Sequence, residues 1–328
     1  MKHKISLIFL CTLLSYTIGA IYNLITVDKT LSITPYTTVY SKFIQRCNSI
    51  CHYDLECRSF EFTKTSDSEG ICSFFDVYAY PSTDQSMALT VKTGAKLYSK
   101  IPLKDCAHLY KAGYTVSGEY EILNPSNPSM KLKVRCSMAL EGGGWTEFQR
   151  RKDGSVEFKN RTWLEYKEGF GNPKTEYWLG NEAVHRLTTS EEYNYMVYVK
   201  AFDGVTARRE LLGFKLGNEG SGYKFQFQGI TPGYDNQPVY AENLGWSNLN
   251  GASFSAYDRG VIKSCAVDFG GWWHRGCHAY AMNGAYSIDG TPVVHADGIM
   301  WSNFRGLGES LKESKLLIRP KWFDNENK

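Results

Sequence analysis

The 328-residue sequence predicts an α+β protein: a small disulfide-stapled module, then a larger domain built on a central antiparallel sheet with long loops. Three observations carry that expectation. Cys47, Cys51, Cys57 and Cys72 crowd into 26 residues, whereas Cys106, Cys136, Cys265 and Cys277 spread over the rest of the chain. Beyond Asp105, short β-like runs outnumber helical ones. Between those runs lie irregular stretches rich in Gly and in aromatic residues, the latter 14 % of the chain.

The N-terminus has a basic start, Met1-Lys2-His3-Lys4, an apolar stretch from Ile5 to Leu14, and small residues up to Ala20. That order is the signature of a secretory signal peptide over residues 1–20, and the run is short for a membrane span. Its removal takes Cys11 away and leaves eight of the nine cysteines, an even number for pairing in an oxidising compartment. The formal net charge of +3 is small for this length, and no basic cluster is interleaved with aromatics, which argues against nucleic acid as a partner.

In the first module, residues 26–100, Phe43, Cys47, Ile50, Cys51 and Asp54 recur at three- and four-residue spacings, so one helical face carries two cysteines. "CRSFEF" alternates as a strand does, "TKTSDSEG" is a polar turn, and "ICSFFDVY" returns as a second strand. A helix across a hairpin, pinned by two disulfides, suits so small a core. Four cysteines allow three connectivities. The segment 96–105 then joins the modules, and neither Gly-X-Y triplets nor a long heptad run supplies an oligomerising stalk.

In the larger domain, residues 104–321, the runs "YMVYVKAF", "YKFQFQGI", "SCAVDFGG" and "SKLLIRP" predict strands. Two helices are expected, in "RTWLEYKEGFG" and "GNEAVHRLTT", the second with Asn181 as N-cap and Glu182 in its first turn.

Two resemblances attach to these residues. "C-x3-C-x5-C-R-S-F-E-F…C-S-F-F" resembles a PAN/apple domain, which implies Cys47–Cys72 and Cys51–Cys57 pairs. The blocks "DCAHLYKAGYTVSGEYEI", "RCSMALEGGGWTEFQRRKDGSVEFKNRTWLEYKEGFG", "EYWLGNEAVHRLT", "GGWW…CHAYAMNGAY", "GIMWSNFRG" and "LLIRP" resemble, in order, the fibrinogen C-terminal-like domain of ficolins, tachylectins and fibrinogen. That likeness implies Cys106–Cys136 and Cys265–Cys277. Closing the eleven-residue loop between the latter two is worth about 3 kcal/mol on the chain-entropy model.

The likeness to ficolins and tachylectins implies a pocket for acetylated sugars beside a calcium site. Backbone N–H groups of Cys277 and His278 would hold the acetyl carbonyl, with Phe269, Tyr286 and Trp301 as the aromatic wall. It also implies a cis peptide at Gly276–Cys277, a geometry that costs about 3 kcal/mol outside proline. A zinc site at His274, Cys277 and His278 is disfavoured, because a disulfide-bonded cysteine is no thiolate ligand and Gly276 breaks the helix that would converge the histidines.

Two departures stand out. Such lectins carry Asp-x-Asp-Asn-Asp before the cysteine; here "YDRGVIKSC" keeps Asp258, places Gly260 where the second Asp belongs, and is about three residues shorter. Calcium takes six to eight oxygens, so a site at Asp258 is weakened. His274-Arg275-Gly276 would supply a basic, protonatable rim suited to an anionic ligand. Asn160-Arg161-Thr162 is an N-glycosylation sequon.

Gly-x-Ser-x-Gly, His-Glu-x-x-His and phosphate-loop motifs are lacking, so an enzyme is not expected. The motifs lead first to a secreted lectin-like recognition protein of the innate-immunity type, binding acetylated glycans. Avidity would then require a homo-oligomer formed through the first module. The alternative is an extracellular protein-binding module of angiopoietin-like or matrix type, without glycan or calcium.

Overall fold

The first strand pairing unites segments far apart in sequence: β1 (Tyr22–Leu31) runs antiparallel to β5 (Leu89–Lys100). The structure is a computed structural model that describes residues 22–31, 34–54, 56–75, 89–100, 103–231, 249–277, 280–292 and 294–326. The expected signal peptide, Cys11 included, lies outside the described residues. Two units divide between residues 102 and 103.

The first unit is a five-stranded antiparallel sheet in the order β1-β5-β3-β4-β2, with β2 at Thr37–Ser41, β3 at Ser59–Lys64 and β4 at Gly70–Phe75. The expected hairpin is β3–β4, so the sheet is larger than the sequence suggested. One helix, α1 (Ile44–Tyr53), lies across it, and the disulfides Cys47–Cys72 and Cys51–Cys57 tie this helix to β4 and to the loop before β3. All four cysteines are buried with Phe60 and Phe74, and Phe60 stacks on Tyr98 at 5.1 Å. So few apolar residues make a thin core, and the covalent links offset that.

The second unit opens with α2 (Cys106–Lys111), β6 (Gly118–Asn124), β7 (Asn127–Ser137) and β8 (Trp145–Arg151). The segment α3 (Trp163–Glu168), β9 (Phe170–Gly171), β10 (Tyr177–Trp178) and α4 (Asn181–Ser190) follows, then β11 (Tyr193–Lys200), β12 (Thr206–Leu216), β13 (Phe225–Gln226) and β14 (Gly229–Ile230). The chain closes with α5 (Lys263–Phe269), β15 (Tyr280–Ala281), β16 (Met300–Trp301), α6 (Ser302–Arg305), β17 (Glu313–Pro320) and α7 (Lys321–Glu326). A ten-stranded antiparallel sheet runs β13-β12-β11-β17-β8-β10-β9, with β14 beside β12 and the β6–β7 hairpin beside β8. The last long strand, β17, inserts between β11 and β8, so the sheet's centre is closed by the end of the chain. Cys106–Cys136 fastens α2 to β7.

Two sequence expectations are corrected here. "SCAVDFGG" forms the helix α5 rather than a strand. Cys265 and Ala266 are buried while residues 263, 264, 267 and 268 are exposed, a helical spacing. Gly270, at φ +81°, returns its N–H to the Ala266 carbonyl and stops the helix. The N-cap of α4 is Gly180, and Asn181 is the first helical residue, buried behind it. The helices α2, α6 and α7 went unanticipated. They are four to six residues long.

Candidate functional site

The segment 254–301, which contains every residue singled out for ligand binding, is laid against the central sheet by buried polar side chains of β8. Gln149 Nε2 donates to the Met282 carbonyl at 2.9 Å and to Asn283 Oδ1 at 3.1 Å, while its Oε1 accepts from Ser314 at 3.0 Å. Arg151, fully buried, donates to the carbonyls of Met282 and Gly284 and lies 4.2 Å above the Phe158 ring. Asn283 in turn donates to the Gly271 carbonyl. A buried hydrogen-bond network of this kind fixes one backbone path, since a broken member leaves an unsatisfied group. The Gln-Arg-Arg-x-Asp-Gly block is therefore scaffolding. Its turn wraps the buried Glu176 carboxylate, which accepts N–H groups from Lys152, Asp153, Gly154 and Val156.

"FGGWWHRGC" divides sharply. Trp272 and Trp273 are each 1 % exposed, and Trp273 packs between Phe254, Phe225 and Trp178 with its Nε1 donating to Tyr223. Both tryptophans belong to the core. His274 is also buried, at 5 % exposure, with Nε2 2.9 Å from the Gly270 carbonyl. The expected protonatable rim is thus corrected: only Arg275 of that pair faces solvent, because the backbone turns outward after His274. The expected cis peptide at Gly276–Cys277 is trans, as is every described peptide bond; Gly276 makes the reversal at φ +88° instead. Cys277 is exposed and joined to Cys265.

The remaining pocket candidates take different positions. Phe269 ends α5 and is half-buried. Trp301 is 5 % exposed, paired through its backbone with Tyr280 and ringed by Tyr280 and Phe304 at 6.0 Å. The Tyr286 hydroxyl reaches the carbonyls of Lys152 and Lys312 at 2.6 and 3.0 Å, so its polar end is used internally. His278 lies outside the described residues. The structure brings Trp301 into the core beside Tyr280 and ties Tyr286 to the β8 turn. Asn160 is exposed ahead of α3, and its sequon partner Thr162 is the N-cap there, in a reciprocal capping box with Glu165.

What faces solvent is a different set of side chains. Tyr257, Val261 and Val267 are exposed, Val261 by 84 % and Val267 by 53 %, in the loop and helix preceding Cys277. Lys263 and Arg275 are exposed near them in sequence. The loop beneath these residues is closed by a mutual backbone pair between Ser255 and Trp272 and by the Ile262 N–H donating to Ser255 Oγ.

Asp258, the candidate calcium ligand, accepts the Trp163 backbone N–H at 2.8 Å on Oδ1 and so caps α3 from a distance. Beside it Arg259 lies 4.5 Å over the Trp163 ring and donates to Glu219 at 2.9 Å. Glu219 also accepts from Trp163 Nε1 at 2.9 Å and Lys167 Nζ at 2.6 Å. The hydrogen bonds from Lys167 and Trp163 hold its carboxyl low, at about 2, against a small opposing effect of burial. Sequence reasoning missed Glu219 and Lys167 altogether. They stand 40 and 92 positions from Arg259, beyond any local spacing signal.

A second polar centre was also missed. Asp105 caps α2, accepting from the His108 N–H, and its carboxylate lies 2.9 Å from His108 Nδ1 and 2.5 Å from the Tyr193 hydroxyl. Glu191 stands nearby with Trp322 Nε1 donating to it. Among the described residues Asp105, His108 and Glu191 form a three-membered group that could offer a metal one ligand atom each, all within 4.8 Å. Both Asp105 oxygens already accept hydrogen bonds, which makes this an internal clasp.

Comparison with known proteins gives a consistent kinship. Residues 102–321 match the family of fibrinogen beta and gamma chains, C-terminal globular domain. Angiopoietin-1 of Bos taurus is 37 % identical over 231 residues, covering 69 % of this chain and 45 % of the relative. Angiopoietin-2 of Homo sapiens is 37 % identical over 225 residues, covering 67 % and 44 %. The chain thus spans under half the length of these curated relatives. Among solved structures, the fibrinogen-like globe domain of human ANGPTL2 is 32 % identical with a TM-score of 0.59, over 67 % of this chain and 99 % of that one. Lamprey fibrin D-dimer complexed with the peptide ligand Gly-His-Arg-Pro-amide is 29 % identical with a TM-score of 0.56, over 66 % and 73 %. Angiopoietins and angiopoietin-like domains replace ficolins and tachylectins as the relatives that the motifs had suggested.

Proposed function

The chain belongs to the family of fibrinogen C-terminal globular domains, and from that premise we propose that it is a secreted protein-binding module. The observation that carries this reading is the exposed apolar set Tyr257, Val261 and Val267, with the exposed Lys263 and Arg275 near in sequence, on a segment whose tryptophans are buried. Exposed apolar side chains with cationic ones nearby in sequence suit a protein surface, where a Tyr such as Tyr257 and an Arg such as Arg275 commonly provide the strongest contacts. An acetyl-sugar pocket draws less support. Trp301 is buried and the Tyr286 hydroxyl is satisfied internally. The angiopoietin kinship favours the same choice, and a family member's structure holds a peptide.

Four disulfides suit an oxidising, extracellular setting, and no helix among the described residues is long and apolar enough to cross a membrane. The first unit we assign to the PAN/apple type. Its nested Cys47–Cys72 and Cys51–Cys57 pairs and its single helix on an antiparallel sheet support that, and it would present a second binding surface.

The test is a paired screen of the purified chain against an array of extracellular receptor domains and an array of acetylated glycans, each with calcium and with chelator. The expected result is saturable binding to a protein that N-acetylglucosamine does not compete. Calcium-dependent binding to acetylated sugars, lost in Tyr286→Ala, would restore the lectin reading.

A further inference from the structure

We infer that the loop 255–262 is held by an ion cluster of Arg259, Glu219 and Lys167 in the place where the lectins it resembles use calcium, so that the face it supports is organised without metal. The inference rests on the proposed binding face only for what the loop serves; its evidence is the loop's own geometry.

The residues present do not fit calcium. The ion takes six to eight oxygens, more than one of them commonly from carboxylates. Here Asp258 supplies the loop's one carboxylate, and its Oδ1 already accepts the Trp163 N–H. The second acidic position is Gly260, and it has no room for an Asp. Its φ is +125°, and a Cβ there would lie 2.5 Å from both Cα and Oγ of Ser255. The Arg259 carbonyl accepts the Ala256 N–H at 2.8 Å, which closes the turn and uses an oxygen a metal would want. The guanidinium of Arg259 then adds a positive charge next to Asp258, the wrong sign beside a cation site.

The same residues fit an alternative staple. Arg259 spans from the loop to the turn at Glu219–Ser221 and stacks on Trp163 at the start of α3. Glu219 gathers three donors, two of them from α3: Trp163 Nε1, Lys167 Nζ and the Arg259 guanidinium. Asp258 adds a fourth strut, from the loop to the backbone of α3. Three separate stretches of chain therefore converge on two acidic and two basic side chains. A charge network with an Arg that both stacks on a ring and pairs with a carboxylate is worth more than isolated surface pairs, because each member restricts its neighbours. The expected consequence is a loop insensitive to calcium and sensitive to ionic strength.

The experiment follows chymotryptic cleavage after the exposed Tyr257 in the full chain by mass spectrometry, with the thermal midpoint as a second readout. Neither calcium chloride nor chelator should change cleavage or midpoint. Glu219→Gln and Arg259→Gln should each speed cleavage about three- to ten-fold by raising the population of the open loop. Arg259→Lys should recover part of the protection, and about 1 M salt should speed wild-type cleavage to near the variants' rate, because screening there acts within about 3 Å. Saturable protection by calcium would overturn the inference. So would cleavage rates left unchanged in both Gln variants. Neither readout uses a binding partner, so failure here leaves the protein-binding reading intact, and failure of that reading leaves the staple intact.

Discussion

Asp105 and His108 show how one side chain can set a pH response. Burial would by itself lower the His108 pKa, but the Asp105 charge and hydrogen bond, with Glu191 adding to them and Lys104 opposing, leave it raised. Burial alone would raise the Asp105 carboxyl, but the His108 charge and hydrogen bonds, with the Tyr193 hydroxyl, hold it low. A group whose folded pKa is raised stabilises the fold fully below its unfolded value, near 6.5, and loses that contribution as pH rises through the folded value. A charge-assisted hydrogen bond of this kind is worth about 2 kcal/mol, or about 6 °C in the midpoint of a domain this size. Thermal midpoints of wild type and His108→Gln should therefore differ by about that much at pH 6 and converge as pH rises past neutrality. A difference that grows with pH would contradict the assignment. At this scale the sequence was informative where chemistry is local. Gly276 argued against a helix at its position, and it takes a positive φ in the chain. The sequence was silent on Glu219, whose partners come from α3 and from the loop at residue 259.

The helix α5 is the element where sequence pattern and structure part. "SCAVDFGG" alternates enough to suggest a strand, yet the adjacent Cys265 and Ala266 are both buried, as a helix places them, and Gly270 ends the segment after two turns. Tertiary position outweighed the weak strand preference of Val267 and Phe269. The long strands β11 and β17 were legible because their alternation or apolar runs persist over eight residues. β1, β2 and β5 were not, since their meaning comes from pairing with distant partners. The Cys265–Cys277 bridge is expected to order α5 and the turn that follows. Replacing both cysteines with Ser should cost about 3 kcal/mol on the chain-entropy model. Hydrogen exchange should quicken over residues 263–277 and stay slow in β8, β11 and β17. Uniform acceleration across the sheet would show that the bridge holds the whole domain.

Across the molecule, the cysteines fall into two groups in sequence, and the chain divides into two units between residues 102 and 103. Fold class and family followed from blocks of motif in the right order, because Gly, Trp and Cys at such positions are demanded by backbone and core. Function was harder to read. Of the residues named for a ligand pocket, Trp301 is buried, the Tyr286 hydroxyl is bonded internally, Phe269 is half-buried and Cys277 is exposed, whereas the exposed Tyr257, Val261 and Val267 carry no motif. A binding surface is chosen for its partner rather than for the fold, so the sequence does not mark it. The central claim is that this face engages a protein, without calcium. It is tested most directly by the affinity of wild type and of the Val261→Asp, Val267→Asp double variant for a captured extracellular domain, measured in chelator. Loss of about ten-fold or more in affinity, with an unchanged thermal midpoint, is the result expected when an apolar anchor is removed from an interface. Equal affinities for the two proteins, or binding that calcium must restore, would contradict it.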